Sequence, residues 1–128
     1  MKKHDPLYWG LVIIAGLTVV SGLVQVLATA FELRMLGAES TATTIHFFAI
    51  VGMFMTLFGG AMLHALLSPD DHPIVVLWAS LQKFGAFGAV ALGVHHGIFS
   101  PLALAVAFFD LFSGILGLWY WRRIRAPL

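Results

Sequence analysis

Residues 107–123 read AFFDLFSGILGLWYWRR: an apolar run that carries one acid, Asp110, and closes on Trp119, Tyr120 and Trp121 followed by Arg122 and Arg123. Aromatic and then basic residues at the end of an apolar run mark the point where a membrane helix meets the headgroups. On a helical wheel at about 100° per residue, Ala103, Val106, Ala107, Ser113, Gly114 and Gly117 share the face of Asp110. Phe108, Phe112, Ile115 and Trp119 lie opposite. Small side chains let helices approach closely within a bilayer, so the Asp110 face is predicted to turn into a bundle and the aromatic face towards lipid or a partner protein.

The rest of the chain fits that environment. Of its 128 residues 60% are hydrophobic and only 10% charged, with a mean hydropathy of +0.95, a composition of membranes rather than of soluble domains. A spanning helix needs roughly 20 mostly apolar residues, and the segments 7–30, 43–67, 74–95 and 101–121 qualify. The predicted fold is therefore all-α: a polytopic, antiparallel four-transmembrane-helix bundle, with residues 1–128 as a single domain. The first run continues well beyond a signal-peptide core and no small-residue cleavage site closes it, so it is expected to span. Capping residues at Ser40, Thr41 and Thr43, the SPDDHP stretch at 68–73 and HHGIFSP at 95–101 supply the breaks. FELRMLG at 31–37 is expected to prolong the first helix into the interface or to lie along it.

The absence of cysteine excludes dithiol redox chemistry, thiolate metal sites and Fe–S clusters carried by this chain. The net charge of +1 leaves no basic patch for nucleic acid. The distribution of charge is more telling than its sum. Lys2, Lys3, Arg122, Arg123 and Arg125 fall on one side of a four-span topology and Arg34 on the other, so the positive-inside rule predicts an inner-membrane protein with both termini cytoplasmic.

Ionisable residues at membrane depth face a partner or a water-filled cavity. Lys83, within WASLQKFGAFGAV at 78–90, lies about ten residues into the third span, flanked on its face by Val76, Ala79, Ser80, Ala86, Phe87 and Val90. Asp110 sits at a similar depth on the fourth, within a few ångströms at about 1.5 Å per residue. The two are expected to pair, either as a structural tie that sets helix neighbours or as part of a ligand or proton site. Gly85 and Gly88 point away from Lys83, so their face is expected to contact a further helix or another subunit.

A second polar group lies in the outer half. Thr18, Ser21, Gly22, Gln25, Ala28, Thr29 and Glu32 form one stripe on the first span, and His46 starts the second. His95 and His96 end the third on the same side, whereas His64 lies about 27 Å from His46. Gln25, Glu32 and His46, with Lys83 and Asp110, are the candidate ligand-binding residues. His46, His95 and His96 are candidate metal or haem ligands, since imidazole and carboxylate suit divalent metals and opposed histidines suit haem. No known metal-binding spacing is present, and a covalent nucleophile lacks an adjacent histidine and acid.

The span count, the cytoplasmic termini, LQKFGAFGAVALG at 81–93 and AFFDLFSGILGLWYWRR at 107–123 resemble the DoxX-like group of small four-helix membrane proteins. The resemblance covers the second half of the chain more than the first. It implies an inner-membrane bundle serving as an accessory subunit of a redox or envelope complex, and carries over no catalytic residue. The function expected is binding of a lipid-soluble ligand or cofactor, such as a quinone, within the bilayer and beside a membrane protein partner or a second copy. A dimeric proton- or ion-coupled carrier and an assembly factor without ligand stand as alternatives.

Overall fold

The computed structural model describes residues 5–125, and among them every regular element is a helix. α1 spans Pro6–Leu27, α2 Thr29–Met35, α3 Ala42–Leu67, α4 Pro73–His95 and α5 Ala103–Ile124. Four of these, α1, α3, α4 and α5, are long and apolar enough to cross a membrane, so the chain is a multi-pass membrane protein with the four-helix layout expected. Lys2 and Lys3 lie outside the described residues.

Local chemistry explains where the helices begin and end. Asp5 caps α1 by accepting from the Tyr8 amide at 2.9 Å, with Pro6 in the first turn where no amide is needed. Thr41 and Thr44 cap the start of α3 reciprocally, and Pro73 opens α4. α5 begins two residues later than expected, because Pro101 and Leu102 occupy a preceding turn, and runs three further, to Ile124.

The first span does not continue into 31–37. It stops at Leu27, Ala28 leaves the helical region at φ −125°, ψ 44°, and α2 starts anew at Thr29. The Thr29 hydroxyl lies 2.6 Å from the Gln25 carbonyl and 2.9 Å from that of Val26. It thus serves carbonyls left bare at the end of α1, a local hydrogen bond that competes with continuing the helix.

The four spans form two hairpins, α1 with α3 and α4 with α5, each far more closely packed internally than against the other. Small residues set the α1–α3 approach. Thr18, Gly22 and Gln25 face Gly59, Thr56 and Gly52, with the same four-then-three spacing on both helices, and a Cβ on Gly52 would meet Gln25 Cβ at 2.9 Å and the Gly22 carbonyl at 2.9 Å. In the second hairpin Gly114 packs on Phe84 and Gly117 on Ser80. The wheel of α5 holds in outline: Ala103, Ala107, Asp110, Ser113, Gly114 and Gly117 are buried, whereas Phe108, Phe112, Ile115 and Trp119 are exposed. Val106 departs from it and is exposed, as is Ser21 on α1.

We call the end carrying Asp5, the 68–72 link and Arg125 the base, and the opposite end the top. Apolar contact between the hairpins concentrates at the base, where Tyr8, Leu11, Ala15, Met62, Leu66, Val76, Ala79, Tyr120 and Ile124 form the core. Two polar ties secure it: the Tyr8 hydroxyl donates to the Leu66 carbonyl at 2.7 Å, and Arg123 pairs with Asp5. The Tyr120 hydroxyl is buried without a hydrogen-bond partner among the described residues. At the top, Gly37 adopts φ 73°, a left-handed turn that suits glycine. The adjacent Leu36 carbonyl accepts from the Ser100 amide at 2.7 Å, joining the α2–α3 link to the α4–α5 link.

Candidate functional site

Two regions of the seam between the hairpins hold polar groups, one at mid-depth and one at the top. At mid-depth Lys83 of α4 and Asp110 of α5 are both buried, with the lysine Nζ 3.3 Å from Asp110 Oδ1. The ammonium also donates to Thr18 Oγ1 of α1 at 2.6 Å, so the cation belongs to both hairpins at once. It lies 5.4 Å from the Phe109 ring centre, close enough for a cation–π contact. A buried charge needs a counter-charge and further hydrogen bonds to offset its lost hydration, and these neighbours supply both.

The hydroxyls around Lys83 share a property. Thr18 donates to the Ile14 carbonyl at 2.9 Å, Ser80 to Val76 at 2.7 Å and Ser113 to Phe109 at 2.8 Å, each four residues back in its own helix. Each proton is therefore committed, and each oxygen offers lone pairs to its surroundings. A void of about 20 Å³ is lined in part by Thr18, Ser80, Gln82, Lys83 and Ser113. That volume suffices for one water molecule, and these groups are the kind of partners a buried water needs.

The top region is different in kind. An open cavity of about 520 Å³ is lined by Leu33, Gly37, Ala38, Glu39, Thr44, Phe47, Phe48, Val51, Gly97, Ile98 and Phe99, from the end of α2, the α2–α3 link, the first turns of α3 and the α4–α5 link; Glu39, Phe47, Val51 and Ile98 are exposed at its rim. Most of these side chains are apolar. The cavity falls in the size range of small-molecule sites.

The expected outer set Gln25, Glu32 and His46 does not line this cavity. Gln25 is buried and donates from Nε2 to the Phe48 carbonyl at 2.9 Å, which joins α1 to α3. Glu32 is partly buried on α2, and loss of solvent raises its carboxyl above the usual range. His46 is exposed, with its ring edge-on to Phe47 at 5.7 Å. His95 and His96 are exposed at the end of α4, their rings 5.6 Å apart. Among the described residues no three His, Asp or Glu side chains come together as a metal site, so His46, His95 and His96 do not converge on one ion.

Sequence reasoning missed the cavity lining because it comes from folded-back links, which have no periodicity to read. A signal was nonetheless present: GAES at 37–40 and GIF at 97–99 each place a glycine next to the residues that form the walls. Thr18 was recognised on the polar stripe of the first span, but its meeting with Lys83 depends on how the hairpins dock. The fold and site together define a small four-span membrane protein with a buried charge tie and an apolar cavity at one end. No protein-family model, curated protein or solved structure matches the chain.

Proposed function

We propose that this protein binds a lipid-soluble small molecule in the top cavity and serves as an accessory subunit of a membrane complex. The observation that carries this reading is the cavity of about 520 Å³, whose phenylalanine and aliphatic walls would hold an apolar body and whose Glu39 and Thr44 would orient a polar head. The Lys83–Asp110 pair is then structural, joining the hairpins beneath the site. Inner-membrane placement with cytoplasmic termini is part of the proposal, supported by Arg122, Arg123 and Arg125 at the base against Arg34 near the top. The DoxX-like layout favours the same role.

Gentle detergent extraction, followed by mass spectrometry of the organic extract and an absorbance spectrum, tests the reading. A stoichiometric lipid-soluble compound is expected, and a Soret band would identify haem in its place. A colourless preparation with nothing bound beyond bulk phospholipid would defeat it.

The void beside Lys83 favours a second reading, a proton- or ion-coupled carrier acting as a dimer, since paired charges at mid-depth also occur in relays. Proton-linked flux in proteoliposomes that disappears in Asp110→Asn while the fold persists would favour the carrier over the subunit.

A further inference from the structure

We infer that the mid-depth void holds one ordered water molecule, hydrogen-bonded to the Gln82 side chain and to the polar groups that surround Lys83. The inference is independent of the top cavity and of what that cavity binds.

It begins with an amide that has no protein partner. Gln82 precedes Lys83 on α4 and is partly buried beside the void, yet among the described residues its carboxamide makes no hydrogen bond. Its Cα lies about 14 Å from the Pro73 end of α4 and about 20 Å from the His95 end, farther than a glutamine side chain reaches. The headgroups therefore cannot serve it, and a bare amide in hydrocarbon is costly. Gln25 shows the alternative: its Nε2 donates to the Phe48 carbonyl at 2.9 Å.

The groups around the void complement a single water. Ser80 and Ser113 give their protons to the Val76 and Phe109 carbonyls, and among the described residues neither oxygen accepts from a protein group. The Lys83 ammonium carries three protons, of which Thr18 Oγ1 and Asp110 Oδ1 take two. The main chain adds no donor, because every lining residue lies within α1, α3, α4 or α5 beyond the first turn, where each amide bonds one turn back. A water here accepts from Lys83 or from Gln82 Nε2 and donates to Gln82 Oε1 and a serine oxygen, within the roughly two to four partners that a buried water takes. The space of about 20 Å³ fits one such molecule. Leu11, Ala15, Met62 and Ala79 line it as well and belong to the apolar core, so the void is closed towards the base and exchange in that direction is slow.

The test uses the full chain in nanodiscs of deuterated lipid, with glutamine side-chain nitrogen labelled for magnetic resonance. The chain contains two glutamines, Gln25 and Gln82, so the side-chain amide signals form two pairs, and Gln82→Leu or Gln25→Leu assigns them. Magnetisation transfer from water is expected at the Gln82 amide, with the sign of a long-lived contact, and not at Gln25, whose amide is committed to Phe48. The transfer should survive in Ser80→Ala and in Ser113→Ala, since each leaves the other partners in place. Its loss in both would assign the signal to hydroxyl protons and overturn the inference. Absence of transfer at Gln82 in the parent would also overturn it, and a shift of the Ala15 and Ala79 methyl signals under xenon would then identify the void as dry.

Discussion

The mid-depth cluster and the top cavity are built from the same materials, hydroxyls with committed protons and a carboxylate, yet they differ in one group. At mid-depth the chain supplies its own cation, Lys83, to Thr18 and Asp110; at the top no lysine, arginine or histidine lines the cavity. The first carboxylate is met by the protein's own cation, whereas Glu39 at the top is exposed to solvent. What distinguishes the regions is therefore whether the chain itself neutralises the acid it places there.

The sharpest way to break this comparison is to remove the internal cation. Lys83→Met leaves Asp110 buried without a counter-charge and should cost about 3–5 kcal/mol, read by denaturant titration in mixed micelles. The double variant Lys83→Met/Asp110→Leu should recover much of that loss. A single variant as stable as the parent would mean that the tie does not hold the hairpins.

Close packing comes next. Gly52→Leu forces a side chain against Gln25 and the Gly22 backbone and should cost about 1–3 kcal/mol. Gly85→Leu and Gly88→Leu, where an added Cβ meets nothing within 4 Å, should leave the melting temperature unchanged. Equal effects at all three positions would contradict the two-hairpin packing.

Thr18→Val removes the acceptor that Lys83 uses on α1, together with the local bond to the Ile14 carbonyl, and should cost about 1 kcal/mol, in line with hydrogen bonds between membrane helices, as measured in the same titration. The cost should fall to near zero in a Lys83→Met background.

The smallest effect expected is in pH dependence at the top. Burial raises the Glu32 carboxyl above its unfolded value, so the folded state holds that proton more tightly. Its contribution to stability is complete below the unfolded pKa and is lost as pH rises through the folded one. Stability measured from acid to neutral pH should therefore decline less in Glu32→Gln than in the parent; identical profiles would remove Glu32 from the account.

The spans, the inward face of α5 and the depth match of Lys83 with Asp110 were legible because each follows from periodicity and length within one helix. The break at Ala28 was not, since it depends on a threonine hydroxyl choosing local carbonyls over an uninterrupted helix. Gln25 looked like a pocket residue because a buried amide on a small-residue stripe serves equally well as a ligand group or a bond between helices. Its partner is the Phe48 main-chain carbonyl, which no side-chain pattern reveals. The cavity walls were least legible of all: two separate links, hydrogen-bonded through Leu36 and Ser100, create a space that neither encodes alone.

Lys83 and Asp110 stand only 27 positions apart in the chain, on consecutive spans of one hairpin. If α4 and α5 pass into the bilayer together, the lysine enters beside its acid, before α1 presents Thr18. The order of the chain thus shelters its most expensive side chain during biogenesis, and the tie that later joins the two halves is a neutralised pair by the time the halves meet.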